Sequence, residues 1–312
     1  MTVFVIAGGL SHEREVSLRS GKRLAAALRK QGLGVEEVDV NAELVSQLLD
    51  AADPVAVPVL HGGLGEDGAL REALWTLGVP FVGSDGASSR RTFDKSVATR
   101  LVKSTGLATP RQVALPDDIF RELGAQAIMS AIGDRLGFPL MVKPARSGSA
   151  LGATKVDSAD ELPSALVGAF AYGKMAVIEE FVTGTELAVT VIDDETGPRA
   201  LPPVEIRPTS NVYDYEARYT AGATRFVTPG DLPDELLEAA GRLAVQTHEV
   251  LGHRDISRVD MIVRDGVPVF LESNVAPGLT DTSLVPLAFE AADLDLGEVF
   301  ARLVERARLR SH

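Results

Sequence analysis

Arg258-Val259-Asp260-Met261-Ile262-Val263-Arg264-Asp265-Gly266-Val267-Pro268-Val269-Phe270-Leu271-Glu272-Ser273-Asn274 is the stretch that decides how the chain is read. Two strand-like runs, 258–263 and 267–272, flank Asp265-Gly266, and an Asp-Gly pair between such runs signals a tight hairpin. Pairing brings Asp260 close to Glu272, with Asn274 two residues further on and on the same side as Glu272. Two carboxylates and an amide carbonyl are hard oxygen donors, suited to magnesium when nucleotide phosphates fill its remaining positions. The same residues also read as a solvated hairpin with ordinary surface acids, and spacing alone leaves both readings open.

Upstream, Pro144-Ala145-Arg146-Ser147-Gly148-Ser149-Ala150-Leu151-Gly152 follows a strand-like run, 140–143, that ends in Lys143. Small residues let a backbone close over phosphates and offer N–H donors, and Lys143 adds positive charge. The loop lacks the GxxxxGK[ST] and GxGxxG patterns, and a surface loop without a ligand is its plain alternative. His61-Gly62-Gly63-Leu64-Gly65-Glu66-Asp67-Gly68 has four glycines in eight positions, which lets backbone approach a small ligand. A lone histidine such as His61 is also commonly structural. Glu13 is suited to an ammonium group or to a cap. His12, His248 and His253 have no evident partner and read as surface or structural. Three of the four tyrosines fall in Asn211–Tyr219, inside a long aperiodic stretch. Such stretches are lids or binding loops, with an interface role as the alternative.

The order of elements points to α/β and α+β architecture in three parts. Residues 1–93 alternate strand (3–7, 35–40, 55–60, 79–83) and helix (17–30, 69–77) with glycine at strand ends, as in a parallel α/β domain. Pro58 assigns its strand to an edge or its own end to a terminus. Residues 94–180 carry helices at 95–105 and 160–171 around strands 140–143 and 176–180. Residues 181–312 hold strands 186–192, 201–206, 258–263 and 267–272, a helix at 233–251, and a lid loop at about 207–229.

Composition narrows the function classes. The chain has 312 residues, 31 basic and 44 acidic, for a net charge of −13, so nothing general attracts it to nucleic acid or an anionic membrane. Any phosphate site must be built locally. Cysteine is absent, which removes thiolate and cysteine–metal chemistry and fits a reducing compartment. The N-terminal apolar run reads as a strand rather than a signal peptide, and no run reaches the ~18 apolar residues that span a bilayer. The expectation is a cytoplasmic location.

Taken together, the motifs resemble the D-alanine–D-alanine ligase family, which has an ATP-grasp fold. The resemblance is collinear over nearly the whole chain: Gly8 through Leu18; His61 through Gly68; Gly83-Ser84 with Asp94-Lys95; Val142-Lys143-Pro144 with Gly148-Ser149; Glu179-Glu180-Phe181 with Gly184 and Glu186; Tyr213 through Tyr219; Arg258-Val259-Asp260; and Glu272-Ser273-Asn274 continuing to Pro277-Gly278-Leu279-Thr280 and Ser283-Leu284. It implies a three-domain ATP-grasp fold with ATP between the central and C-terminal domains. Lys95, Lys143 and Arg218 would meet phosphates, while Glu179, Glu180, Phe181 and Glu186 would surround the base and ribose. Asp260, Glu272 and Asn274 would hold two magnesium ions, with manganese as a substitute. Glu13, in a group with Ser149 and Tyr219, would take the ammonium of the first D-alanine. Arg258 and the Gly278 N–H would face the acyl phosphate and tetrahedral intermediate. His61, Glu66, Ser283 and Leu284 would border the amino acids. The implied reaction transfers the γ-phosphoryl group to the first D-alanine, whose acyl phosphate the amine of the second then attacks. The resemblance also implies a homodimer and a role in peptidoglycan precursor synthesis.

Some positions depart from the family pattern. Arg71 and Glu72 stand for glutamine and glycine, Ala150 for a serine, and Arg218 for a lysine that differs in geometry. Ser273, Val275, Ala276 and Leu279 are also unusual. These departures keep open a ligase for a different pair of small amino acids. Tyr219 favours an amine over a hydroxyl acceptor, again by resemblance.

Overall fold

A computed structural model describes residues 1–209, 220 and 222–310. Its strands form three sheets taken in succession from the chain. The first is parallel: β1 (Thr2–Ile6) lies between β2 (Val35–Val38) and β3 (Pro54–Pro58). Helix α1 (Arg14–Lys30) connects β1 to β2, and α2 (Leu44–Asp50) connects β2 to β3. Pro58 ends an edge strand, where its missing N–H costs no ladder bond. The strand expected at 79–83 is reduced to one parallel bridge between Ala56 and Phe81. Pro80 has no N–H to extend the ladder, and the Gly83 N–H goes to Asp255 Oδ2 at 2.7 Å. Helices α3 (Ala69–Thr76) and α4 (Gly86–Phe93) follow.

Helix α5 (Lys95–Ser104) starts at Asp94, whose carboxylate accepts from the N–H groups of Ser96 and Val97. The second sheet is antiparallel, formed by β4 (Gln112–Pro116), β5 (Leu140–Pro144), β6 (Thr154–Val156) and β7 (Met175–Glu180) in the order β4-β7-β5-β6. Helices α6 (Asp117–Leu123), α7 (Ala125–Leu136) and α8 (Leu162–Phe170) accompany it. The third sheet runs β11 (Thr224–Val227), β10 (Val204–Pro208), β8 (Thr185–Asp194), β12 (Ile256–Arg264), β13 (Val267–Asn274), with β9 (Gly197–Ala200) also on β8. The run expected at 201–206 begins at Val204 because Pro202 and Pro203 cannot donate to a ladder.

Packing crosses the order of the chain. Helix α9 (Asp234–Leu251) buries Ala240, Leu243, Ala244, Thr247 and Leu251, a helical-period stripe. It covers one face of the third sheet together with Ala98 and Val102 of α5, so Val259, Met261 and Val263 are buried there. The alternate residues of β12 are left for the opposite face. The last two helices, α10 (Leu284–Ala291) and α11 (Leu296–Leu309), place Val285, Phe289, Phe300 and Leu303 in one core with Val3 and Val5 of β1 and Leu24 and Leu28 of α1. This shared core ties the ends of the chain together at the site.

Candidate active site

The hairpin of β12 and β13 closes through Asp265 (φ 51°) and Gly266 (φ 77°), both left-handed as a two-residue type I′ turn requires. Its register pairs Asp260 with Glu272 and Arg258 with Asn274, so all four side chains share one face. Arg258 grips Asp260 through both carboxylate oxygens, at 2.7 and 2.8 Å. A bulge beyond Asp260 pairs Met261 with Phe270 and leaves Leu271 unopposed. Glu186, on β8, lies opposite Ile262 on the neighbouring side of β12. Asn274 Oδ1 accepts from the Ala276 N–H at 2.7 Å.

The second sheet supplies the cations. Met141 pairs with Glu179 and Lys143 with Val177, which brings Lys143 and Glu179 to one face. Their buried ion pair closes at 2.6 Å, and among the described residues Glu179 Oε2 has no hydrogen-bond partner. An orphaned buried carboxylate oxygen in a cavity is an acceptor waiting for a donor. Lys95 Nζ donates to the Ser147 carbonyl at 2.6 Å and stands 3.5 Å from Glu272 Oε2. The loop after β5 turns through Ser149 (φ 49°) and Ala150 (φ 56°), left-handed conformations uncommon for residues with a side chain. Glu180 turns its carboxylate to Arg111 and Arg264. Burial works against its charge, but these hydrogen bonds outweigh it and hold the group below the usual range. Lys155 Nζ sits 5.1 Å from the centre of the Phe181 ring.

Two cavities meet here. The larger, about 860 Å³, lies between the second and third sheets and is lined by Lys143, Glu179, Glu180, Phe181, Glu186 and Asp260, among others. The smaller, about 150 Å³, is bordered by Glu13, His61, Glu66, Ser149, Arg258, Asn274, Gly278, Ser283 and Leu284. Lys95, Ser147, Leu271 and Glu272 line both, so they mark the junction.

In the smaller cavity Glu13 accepts a hydrogen bond from Ser149 Oγ. Its Oε2 reaches its place because Gly62 and Gly148 are glycines: a Cβ on either would stand 2.8 Å away. Glu66 is nearby and buried, and burial, reinforced by the charge of Glu13, pushes its carboxyl up to about 7. Burial lowers the His61 pKa, with Arg258 acting the same way. Ser283 Oγ accepts from the Thr280 N–H at 3.1 Å and lies 2.8 Å from Thr280 Oγ1.

Tyr219, Arg218 and the rest of 210–219, with residue 221, lie outside the described residues, while the expected lid's flanks at 207–208 and 224–227 are strand. Sequence reasoning missed Met141 and Ile262, which line the larger cavity. Each lies two residues from a site residue on its strand (Lys143, Asp260), a signal that becomes usable once the strands are known. His248 and His253 are structural and have partners after all. Both are buried, with His248 2.8 Å from Ser257 Oγ and His253 3.0 Å from Ser273 Oγ. Arg71 is buried too, donates to the Gly65 carbonyl, and burial lowers its pKa to about 10. Glu72 pairs with Arg90 at 2.8 Å.

A nucleotide-sized cavity between two antiparallel sheets, with lysines on one wall and paired carboxylates on the other, defines an ATP-grasp ligase. The profile described as D-ala D-ala ligase C-terminus matches residues 101–305. The D-alanine–D-alanine ligase of Moorella thermoacetica is 38% identical, over 98% of this chain and 99% of that one. The ligase of the same name from Cupriavidus necator is 37% identical over 99% of this chain and 93% of its own length. Among solved structures, the Bacillus anthracis D-alanine–D-alanine ligase complexed with ATP superposes with TM-score 0.81 at 30% identity, covering 99% and 98% of the two chains. The VanG D-Ala:D-Ser ligase of Enterococcus faecalis does so with TM-score 0.86 at 27% identity, covering 98% and 99%. The chain belongs to the D-alanine–D-alanine ligase family.

Proposed function

We propose that this enzyme joins two D-alanine molecules at the expense of ATP, for peptidoglycan precursor synthesis. The observation that carries the reading is the junction of the two cavities: Lys95 and Glu272 border both, so a phosphoryl group at the end of the larger cavity meets a carboxylate held in the smaller. The charges of Lys143 and Lys95 on the cavity wall support a role in balancing phosphate, and the open acceptor Glu179 Oε2 supports a contact to the base. Phe181 and Glu186 complete the nucleotide cavity's wall. Glu13, held by Ser149, offers an anion to the ammonium of the first D-alanine. Tyr219 and Arg218 belong to the same reading by resemblance.

A free carboxylate is a poor acyl donor, so phosphorylation by ATP precedes attack by the second amine. Arg258 and Gly278 line the same cavity, which supports a role for both in offsetting charge on the acyl oxygens. Among the described residues no three acidic or histidine side chains converge as a metal cluster. The two opposed carboxylates with an amide oxygen nevertheless form a hard-oxygen set that fits magnesium sharing its shell with phosphates. Asp260, Glu272 and Asn274 would hold it. Bound there, magnesium supplies Lewis-acid neutralisation of phosphate charge. Arg258 and Lys95 approach the same carboxylates.

Two ions, a homodimer and a cytoplasmic location accompany this reading by family resemblance. Among the described residues, no helix is long and apolar enough to cross a membrane. The test is phosphate release from ATP and Mg²⁺ with D-alanine alone, the product identified by mass spectrometry. D-Alanyl-D-alanine is expected. Turnover only with another amino acid, such as D-serine as acceptor, would assign the chain to a different pair.

A further inference from the structure

The segment that carries Gly278 is held on both sides by side chains of the first sheet's domain. His61 Nδ1 lies 2.9 Å from the Ala276 carbonyl, which can only accept, so Nδ1 carries the proton. Its other nitrogen, Nε2, is then the acceptor, and Ser20 Oγ lies 3.4 Å from it. Ser20 Oγ in turn accepts from the Leu279 N–H at 3.1 Å. The relay therefore has one direction: Leu279 N–H to Ser20 Oγ, Ser20 O–H to His61 Nε2, His61 Nδ1–H to the Ala276 carbonyl. It closes a ring around Pro277 and Gly278. Arg23 Nη1 adds a bond to the Leu279 carbonyl at 3.1 Å.

Ser20 and His61 are buried, and Ser20 lies on α1, more than 250 residues before its partner Leu279. Burial favours the neutral ring that the relay needs. These bonds fix the backbone at Ala276 and at Leu279, on either side of Pro277 and Gly278, and Gly278 lines the smaller cavity. A donor on backbone that is already fixed needs no reorganisation when charge develops beside it.

We infer that Ser20, with His61 and Arg23, forms a positioning relay that aims the Gly278 N–H at the reacting acyl group. The inference rests on the proposed ligase reading for what that N–H serves, and on the hydrogen bonds alone for the relay itself. Ser20 touches no substrate cavity and acts only through the 276–279 backbone.

The test uses the full-length chain and two variants, Ser20→Ala and Arg23→Gln. Arg23 is partly exposed, so its loss leaves the core intact. Ser20→Ala is expected to lower kcat about tenfold while leaving the KM for ATP within about twofold, because misaimed donors weaken the transition state more than ground-state binding. Amide hydrogen exchange over 276–280 is expected to accelerate, with the rest of the chain unchanged. Arg23→Gln is expected to shift both readouts the same way by a smaller factor. Unchanged kcat in Ser20→Ala overturns the inference, as does a fall in which ATP affinity and melting temperature decline together. If the wild-type chain makes no D-alanyl-D-alanine, the substrate assignment falls. The relay is then decided by exchange alone: acceleration confined to 276–280 supports it, and unchanged exchange refutes it.

Discussion

Asp260 and Glu272 stand directly opposite each other across the β12–β13 ladder, on the face that Arg258 and Asn274 share. Arg258 clamps one carboxylate and Lys95 approaches the other. The acidic pair is thus compensated by cations of the site, and under the proposed reading a metal bound there would exchange these partners. Mutual repulsion of two carboxylates makes such compensation necessary in a half-buried site.

Asp260→Asn removes one anionic donor and loosens the Arg258 clamp. Turnover should fall by at least about 100-fold, and the magnesium concentration for half-maximal rate should rise. A magnesium titration of both proteins checks this. An unchanged half-maximal concentration would remove Asp260 from the metal set.

Lys143→Met leaves Glu179 charged and buried without its partner. Stability should drop by about 3–5 kcal/mol, and the Lys143→Met/Glu179→Gln double variant should recover part of the loss. Denaturant unfolding of the two single variants and the double variant measures the coupling. Additive losses would show that the pair is not coupled.

Ser149→Ala deletes the hydroxyl that holds Glu13. The KM for the amino acid should rise about 10- to 150-fold with the KM for ATP little changed, the scale of one lost hydrogen bond to a charged group, about 1.5–3 kcal/mol. Initial rates over a D-alanine series decide it. An equal rise for both substrates would mean that the whole loop had moved.

Glu66 is pushed up to about 7, so the folded chain keeps a proton that the unfolded chain has released. Stability should therefore fall as pH rises from the ordinary glutamate range through about 7. Glu66→Gln removes that slope and should be more stable than the parent at pH 8, by on the order of 3 kcal/mol, with little difference near pH 4. Melting curves at both pH values test the sign. Parallel pH profiles would refute the shift.

The residues that carry the chemistry were legible because they sit in short local patterns. Asp265-Gly266 dictated a type I′ turn, but strict alternation from that turn would set Asp260 opposite Leu271; the bulge beyond Asp260, which no local pattern announced, brings Asp260, Glu272 and Asn274 to one face. The glycines around His61 and the loop after Lys143 were legible for the same reason: a backbone conformation or a close approach excludes other residues. Helices 117–136 and the strand 112–116 were not read, since Gly124 and Gly133 interrupt the helical period of Phe120, Ile128, Ile132 and Leu136 and their burial comes from neighbours distant in sequence.

Tertiary structure decided what local patterns cannot encode. That α11 shares a core with α1 and β1 depends on surfaces more than 270 residues apart in sequence. Likewise, Ser20 is an unremarkable helical serine until folding sets it against Leu279, and His61 one of several lone histidines until its two nitrogens find Ser20 and Ala276. Sequence determines which donors, acceptors and turns are available, because these are properties of single residues and their near neighbours. Which donor meets which acceptor across domains is decided only when buried polar groups must all find partners in one packing.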